Sequence, residues 1–265
     1  MMQDNFDGVR VVVTGGGRGI GKAIAAAFAA RGARVLIGAR TGKYGEEAVA
    51  GITAAGGTAA MIENDISSEA GCKALIAEAR RLYGGVDIIV HAAADIPHGG
   101  IDATDEAIMR GFNSIVMAGF WLTREARADL AKAPGGGRVI FIGSISGPRT
   151  IVPGRMAYGV CKSGLETFIR GAALELAKEN ITVNGIEPGL IASDRPLAAM
   201  GAETLNIMGE RSPVGRPGTP AEIAHATLFL ASPMSGFITG HSIVMDGGST
   251  LSTSDPSAFL VNHQK

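Results

Sequence analysis

The sequence predicts a doubly wound α/β fold: one parallel sheet of about seven strands, in a single domain, with helices on both faces. Two observations carry this. Short β-branched runs alternate with stretches of helical spacing along most of the chain, and glycines gather where strand hands over to helix. The strand-like runs are 9–14, 34–38, 58–64, 86–91, 138–144, 181–187 and 242–246; the helical stretches are 20–31, 44–55, 68–83, 105–132, 157–178 and 220–231. Strict alternation implies βαβ units on a sheet covered on both sides. Right-handed crossovers then put a ligand crevice at the carboxyl ends of the strands.

Composition narrows the function classes. The 265 residues are 46% hydrophobic and 18% charged, enough apolar material for one large domain. The formal charge is −1 with no basic block, which speaks against nucleic-acid binding. The two cysteines, Cys72 and Cys161, make no disulfide framework and have no metal-ligand spacing. The first residues carry two acids and no basic segment before an apolar stretch, unlike a signal peptide, and no apolar run approaches a membrane span. These features imply a soluble, cytoplasmic protein without a membrane partner.

The first strand leads into Thr14-Gly15-Gly16-Gly17-Arg18-Gly19-Ile20-Gly21. Gly15 permits a sharp turn, Gly19 lets the backbone approach a pyrophosphate, and Gly21 allows close helix–strand contact; the helix N-terminus then offers free N–H groups to phosphate. The spacing is Gly-x-x-x-Gly-x-Gly rather than the commoner Gly-x-Gly-x-x-Gly, and the glycines alone also suit plain turn chemistry. After the second strand, residues 36–43 contain no acid to bond a ribose 2′-hydroxyl. They contain Arg40, which with Arg18 could fork onto a 2′-phosphate, favouring NADP over NAD. Asp65, with Ile66 at the end of the third strand, could bond an adenine amino group or simply cap the next helix.

The second half holds the candidate chemistry. Tyr158 and Lys162 are four residues apart on a helical stretch, so their side chains share one face. A neighbouring ammonium lowers a phenol's pKa, which would let Tyr158 take a proton from an alcohol or give one to a ketone oxygen. Ser144, at the end of the fifth strand, could polarise the same oxygen, with Ser146 a rival on the same loop. Asn113 is an awkward residue inside a long helix; a second role and a solvent-facing position are both open. Glu222-x-x-His225 has carboxylate–histidine spacing but no further ligands, so a structural role is expected and no metal.

In order and spacing, these pieces resemble the short-chain dehydrogenase/reductase family, from about Val9 to Gly248, and imply its Rossmann-like fold. The likeness rests on Thr14–Gly21, Asp65, Asn113, Ser144, Tyr158-x-x-x-Lys162, Asn184 with Pro188-Gly189, and Asp246-Gly247-Gly248. It implies Tyr158 as general acid/base and Ser144 as the orienting hydroxyl. Lys162 would hold the nicotinamide ribose and lower the tyrosine pKa, and Asn113 would anchor a relay water. Pro188, Gly189 and Ile191 would lie along the nicotinamide, Ala92 and Ala93 near the adenosine ribose, and Ile145, Ser146 and Leu190 along the substrate. One departure is His91-Ala92-Ala93-Ala94, where the family usually has Asn-Asn-Ala-Gly; another is a Ser144-to-Tyr158 gap one residue longer than usual.

The resulting expectation is a cofactor half at 9–135, a catalytic and substrate half at 136–250 with a candidate lid at 190–217, and a tail at 251–265. The activity expected is NADP-dependent interconversion of a ketone and a secondary alcohol, by a homodimer or homotetramer. The candidate walls Ile96, Pro97, Ile145, Ile151, Val152, Leu190 and Met200 suit a largely apolar substrate, with Arg149, Arg155 and His98 expected at solvated positions. A β-ketoacyl thioester reductase, an epimerase or dehydratase, and a nucleotide-binding regulator without turnover are the alternatives.

Overall fold

The computed structural model describes residues 5–251; the tail at 252–265 lies outside them. Seven parallel strands form one sheet in the order β3-β2-β1-β4-β5-β6-β7: β1 Arg10–Thr14, β2 Arg34–Ala39, β3 Thr58–Glu63, β4 Ile88–His91, β5 Gly137–Ile142, β6 Ile181–Pro188 and β7 Ser242–Met245. The expected architecture is borne out. Alternation along β1 shows why both faces are covered. Val12 joins an apolar cluster with Leu75, Leu122 and Leu165, while Val11 and Val13 join a second with Ile24, Phe28 and Leu228. The first cluster draws on α3 Glu69–Tyr83, α5 Ala118–Leu130 and α6 Met156–Leu176; the second draws on α1 Gly19–Ala29, α2 Gly42–Ala54 and α8 Pro220–Ala231.

The chain order reverses at β1, which has β2 on one side and β4 on the other. That switch point opens a crevice beyond the carboxyl ends of β1 and β4. Helix starts around it follow local chemistry. Ser68 accepts from the Gly71 amide to open α3, and Thr219 with Glu222 forms a reciprocal capping box at α8 with Pro220 at its first position.

Two elements differ from expectation. The stretch read as one helix at 105–132 is α4 Asp105–Phe112, a π-helical segment Asn113–Met117, and α5. The excursion at 190–217 contains a helix, α7 Asp194–Gly209, broken at Gly201 where φ is 76°.

Candidate active site

The glycine loop closes the crevice on one side. Gly15 has φ 68°, and a Cβ there would lie 2.9 Å from the Ala93 backbone across the switch point. At Gly21 a Cβ would stand 2.3 Å from the Gly15 carbonyl oxygen. Neither position has room for a side chain, so the loop stays thin. Thr14 fastens the two sides: its hydroxyl accepts from the amides of Ala92 and Ala93, each at 3.2 Å.

The charged residues are knitted across strands. Arg18 stands with its guanidinium 5.3 Å from the Tyr44 ring centroid. Arg40 is ion-paired with Asp95, an acid beyond β4 that a reading of residues 36–43 does not meet. Arg110 of α4 bridges Asp95 and Asp65, each at 3.0 Å. Asp65 also accepts from the Ser67 amide, so it shapes the turn, while Ser68 is the helix cap. The side chain of Ile66 is in the core, leaving its main chain as the part that could face a cofactor; the same holds for Ile191. Pro188 ends β6 and Gly189 follows it; the Pro188 carbonyl accepts from the Ile145 amide and the Gly189 amide donates to the Met245 carbonyl.

The candidate catalytic residues converge beyond β5. Lys162 is buried, 5% exposed, and its ammonium donates to the Ile142 carbonyl at 2.7 Å. It lies 5.7 Å from the Tyr158 ring centroid. Burial pushes the lysine down to about 8. Burial likewise holds the Tyr158 phenol above its ordinary value, opposed first by a hydrogen bond with Ser144 and then by Arg155 and Arg195. Ser144 accepts from the Ser146 amide at 3.0 Å. The Ser146 hydroxyl is buried and unbonded among the described residues, and of the two rival serines it is Ser144 that acts on the phenol. Asn113 opens the π-helical segment, half-buried. One extra residue per turn turns a side chain out of α-helical register, a device common at functional sites.

A family model described as enoyl-(acyl carrier protein) reductase matches residues 15–250. The chain belongs to the short-chain dehydrogenase/reductase family. It is 36% identical over 251 residues to an uncharacterized oxidoreductase of Thermotoga maritima, covering 93% of this chain and 99% of the relative. It is also 36% identical over 253 residues to the 3-oxoacyl-[acyl-carrier-protein] reductase of Escherichia coli, covering 92% and 98%. Among solved structures, a 7α-hydroxysteroid dehydrogenase complexed with NADH and 7-oxo glycochenodeoxycholic acid superposes with a TM-score of 0.87 at 31% identity, covering 94% and 97%.

Against that family, the departure at His91 has a structural answer. His91 is 1% exposed; its Nδ1 lies 2.8 Å from the Thr14 hydroxyl and its Nε2 3.0 Å from the Ser114 carbonyl. The carbonyl can only accept, so Nε2 carries the proton and Nδ1 accepts from Thr14. The imidazole therefore ties β1 and β4 to the π-helical segment that begins at Asn113. Burial holds its pKa down at about 4, against an ordinary 6.5. The unfolded chain binds the extra proton between those values, so stability rises with pH from about 4 to 6.5. We expect acidification through that window to cost the fold about 3 kcal/mol, and His91→Asn to flatten the slope. Thermal unfolding of both forms at several pH values checks this; identical slopes would exclude His91 as the source.

Other charged residues settle as follows. Arg149 is exposed, as expected, and its guanidinium also donates to the buried carboxylate of Glu187 at 2.7 Å. Glu222, the carboxylate of the histidine-spaced pair, is committed to its helix cap and to Arg216, which hold its pKa down at about 2. Asp95, Arg110 and Arg195 were missed, as was Asp194, whose carboxylate accepts from the Gly19 amide at 2.8 Å. Their only sequence signal was position: each lies just beyond a strand's carboxyl end or on the helix facing it.

Proposed function

We propose that this family member is an NADP(H)-dependent oxidoreductase that interconverts a ketone and a secondary alcohol. The observation that carries it is the buried Lys162 ammonium, held by the Ile142 carbonyl at the end of β5, with the Tyr158 ring 5.7 Å away on the same helix. The thin glycine loop and the donors around it fit a dinucleotide, since Gly15 and Gly21 leave no side chain between the backbone and a phosphate. Gly15, Arg18, Gly19, Ile20 and Gly21 would hold the phosphates; Arg40 would take the 2′-phosphate, exchanging part of its bond to Asp95. Asp65, Ile66, Ala92 and Ala93 would border the adenosine, and Pro188, Gly189, Ile191 and Lys162 the nicotinamide end. A bound nicotinamide supplies or accepts the hydride.

Ser144 orients the substrate oxygen and Tyr158 moves the proton. Because burial keeps the phenol protonated at neutral pH, Tyr158 starts as an acid, which suits ketone reduction. Asn113, on its π-helical segment, holds the relay that returns the proton past Lys162. The segment at 190–217 acts as a lid, supported by the Asp194–Gly19 contact that lays it over the glycine loop. Ile145, Ser146 and Leu190 border the substrate, Ser146 through its backbone.

The second reading, a β-ketoacyl thioester reductase, is favoured by the likeness to the 3-oxoacyl reductase. The enzyme works in the cytoplasm, in keeping with two free, buried cysteines. It assembles as a homodimer or homotetramer through the exposed apolar residues Phe120, Val160 and Leu174 on α5 and α6, and Phe229, Phe237 and Val244 beside β7.

The test is loss of the reduced-nicotinamide absorbance on adding members of a ketone panel, with NADPH and NADH in parallel. Consumption with NADPH exceeding that with NADH is expected. Equal or better use of NADH would remove the Arg18–Arg40 reading, and no consumption with any ketone would remove the activity.

A further inference from the structure

An ion pair crosses the crevice. Arg40 follows β2 and Asp95 lies beyond β4, two strands that β1 separates in the sheet. The contact between them therefore reaches over the switch point, above the strand that leads into the glycine loop. Each oxygen of Asp95 has its own arginine: Oδ1 meets Arg40, and Oδ2 meets Arg110 Nε at 3.0 Å. The Asp95 amide donates to the Ser114 hydroxyl at 3.0 Å, so the main chain is held there without the carboxylate.

The charges around this pair are committed differently. Arg18, the other arginine read toward a 2′-phosphate, stands over the Tyr44 ring and makes no ion pair among the described residues. Glu63, the acid that ends β3, accepts from the Gly42 amide at 3.0 Å and meets no cation among the described residues. Residues 36–43 hold no acid, yet the fold brings Asp95 onto Arg40 from 55 positions away. Of the two arginines, one is open to a phosphate and the other is contested by a carboxylate.

NADP and NAD differ at the ribose 2′ position, where one carries a phosphate of nearly two negative charges and the other a hydroxyl. An acid bonded to Arg40 lies within one guanidinium's width of a phosphate held there, and like charges at that range repel. The same carboxylate claims a donor that the phosphate would use. Arg110 limits the cost, because it keeps Asp95 paired when Arg40 turns to the phosphate. We propose that Asp95 is a cofactor-specificity residue: its carboxylate restrains the preference for NADP over NAD, and Arg110 sets how strong that restraint is. The proposal rests on the reading of Arg40 as the 2′-phosphate residue.

The test measures binding, so it needs no substrate. Kd values for NADPH and NADH are taken by nicotinamide fluorescence, and for NADP and NAD by calorimetry, at low and high salt. The protein forms are wild type, Asp95→Asn, Asp95→Glu, Arg110→Met, Arg40→Met, and Asp95→Asn combined with each arginine change. Asp95→Asn is expected to raise the NADPH-over-NADH preference by about 10-fold, the effect of removing one nearby like charge. The gain should come from tighter NADPH, with NADH held within about twofold, and should shrink as salt rises. Asp95→Glu keeps the charge and should stay near wild type. Arg110→Met should narrow the preference when Asp95 is present and leave it unchanged in Asp95→Asn. Any effect of Arg110 on adenine through Asp65 cancels in the ratio, since both cofactors carry that base.

An unchanged ratio in Asp95→Asn would overturn the proposal. So would a lowered one, which would mean that the carboxylate positions Arg40 for the phosphate. Equal shifts in Asp95→Glu and Asp95→Asn, or an Arg110→Met loss that persists without the acid, would overturn it as well. Arg40→Met separates this failure from that of the reading beneath it. The ratio should collapse in Arg40→Met, and Asp95→Asn should add nothing to that variant. A ratio indifferent to Arg40→Met would defeat the 2′-phosphate reading and the proposal together. A collapsed ratio there, with no response to Asp95→Asn in wild type, would defeat the role of Asp95 alone.

Discussion

Replacing Tyr158 with Phe is expected to lower kcat by about 10³-fold, within the range for loss of a positioned general acid, while leaving cofactor affinity and fold intact. The phenol is the group that would move the substrate's proton, with Ser144 acting on it from the end of β5. Phenylalanine retains the ring that stands beside Lys162 and leans on the core around Leu165 and Phe168. The change therefore removes a proton donor and very little packing. Single-turnover absorbance and cofactor fluorescence, measured on the same preparations, check it. Turnover near that of wild type would take the acid/base role away from Tyr158.

Lys162→Met should also lower kcat, by about 10²-fold or more if the ammonium serves the proton path, yet it should not destabilise the protein in proportion. The lysine is 5% exposed, and its pKa is held at about 8 against an ordinary 10.5. Between those values the unfolded chain binds more protons than the folded one, so the burial penalty is complete below about pH 8 and fades as pH rises toward 10.5. Methionine has a similar length without the charge, and the main loss is the donor to the Ile142 carbonyl. Removing a buried charge and losing that bond act in opposite directions. Tm at neutral pH should consequently stay level or rise, and any gain should shrink above pH 8. A large fall in Tm alongside the lost turnover would mean that Lys162 is there for the fold. Level or raised stability with lost turnover would mark a residue kept for function at a cost to the fold.

How far the sequence revealed this molecule depended on the range of each interaction. The strands were legible because both sheet faces are buried, so runs such as Val11-Val12-Val13 and Val139-Ile140-Phe141 are continuously apolar. The glycine loop and the Tyr158–Lys162 spacing were legible because a turn and a helix face are local properties. Helix α7 was not, because its buried residues are only Leu205 and Gly209, too few to print an apolar stripe. The π-helical segment was hidden for a related reason: five residues are too few to print a period of their own, and only Asn113 marks the spot. The charge network was least legible. Arg40 meets Asp95 across 55 positions, and Arg149 meets Glu187 across 38, distances in sequence that the sheet's switch point and the end of β6 collapse. For this reason the Glu187 partner of the exposed Arg149 was not read, while Arg195 was not noticed at all.

The most direct measurement follows a single hydrogen atom. NADPH carrying deuterium at the transferable position of the nicotinamide is incubated with the protein and a ketone that it turns over, and the product is examined by mass spectrometry and proton resonance. Deuterium on the carbinol carbon, on one face only and absent from the reaction with Tyr158→Phe, is the result expected of hydride transfer joined to a Tyr158 proton. Product without deuterium on that carbon, or oxidation of NADPH with no alcohol formed, would contradict it.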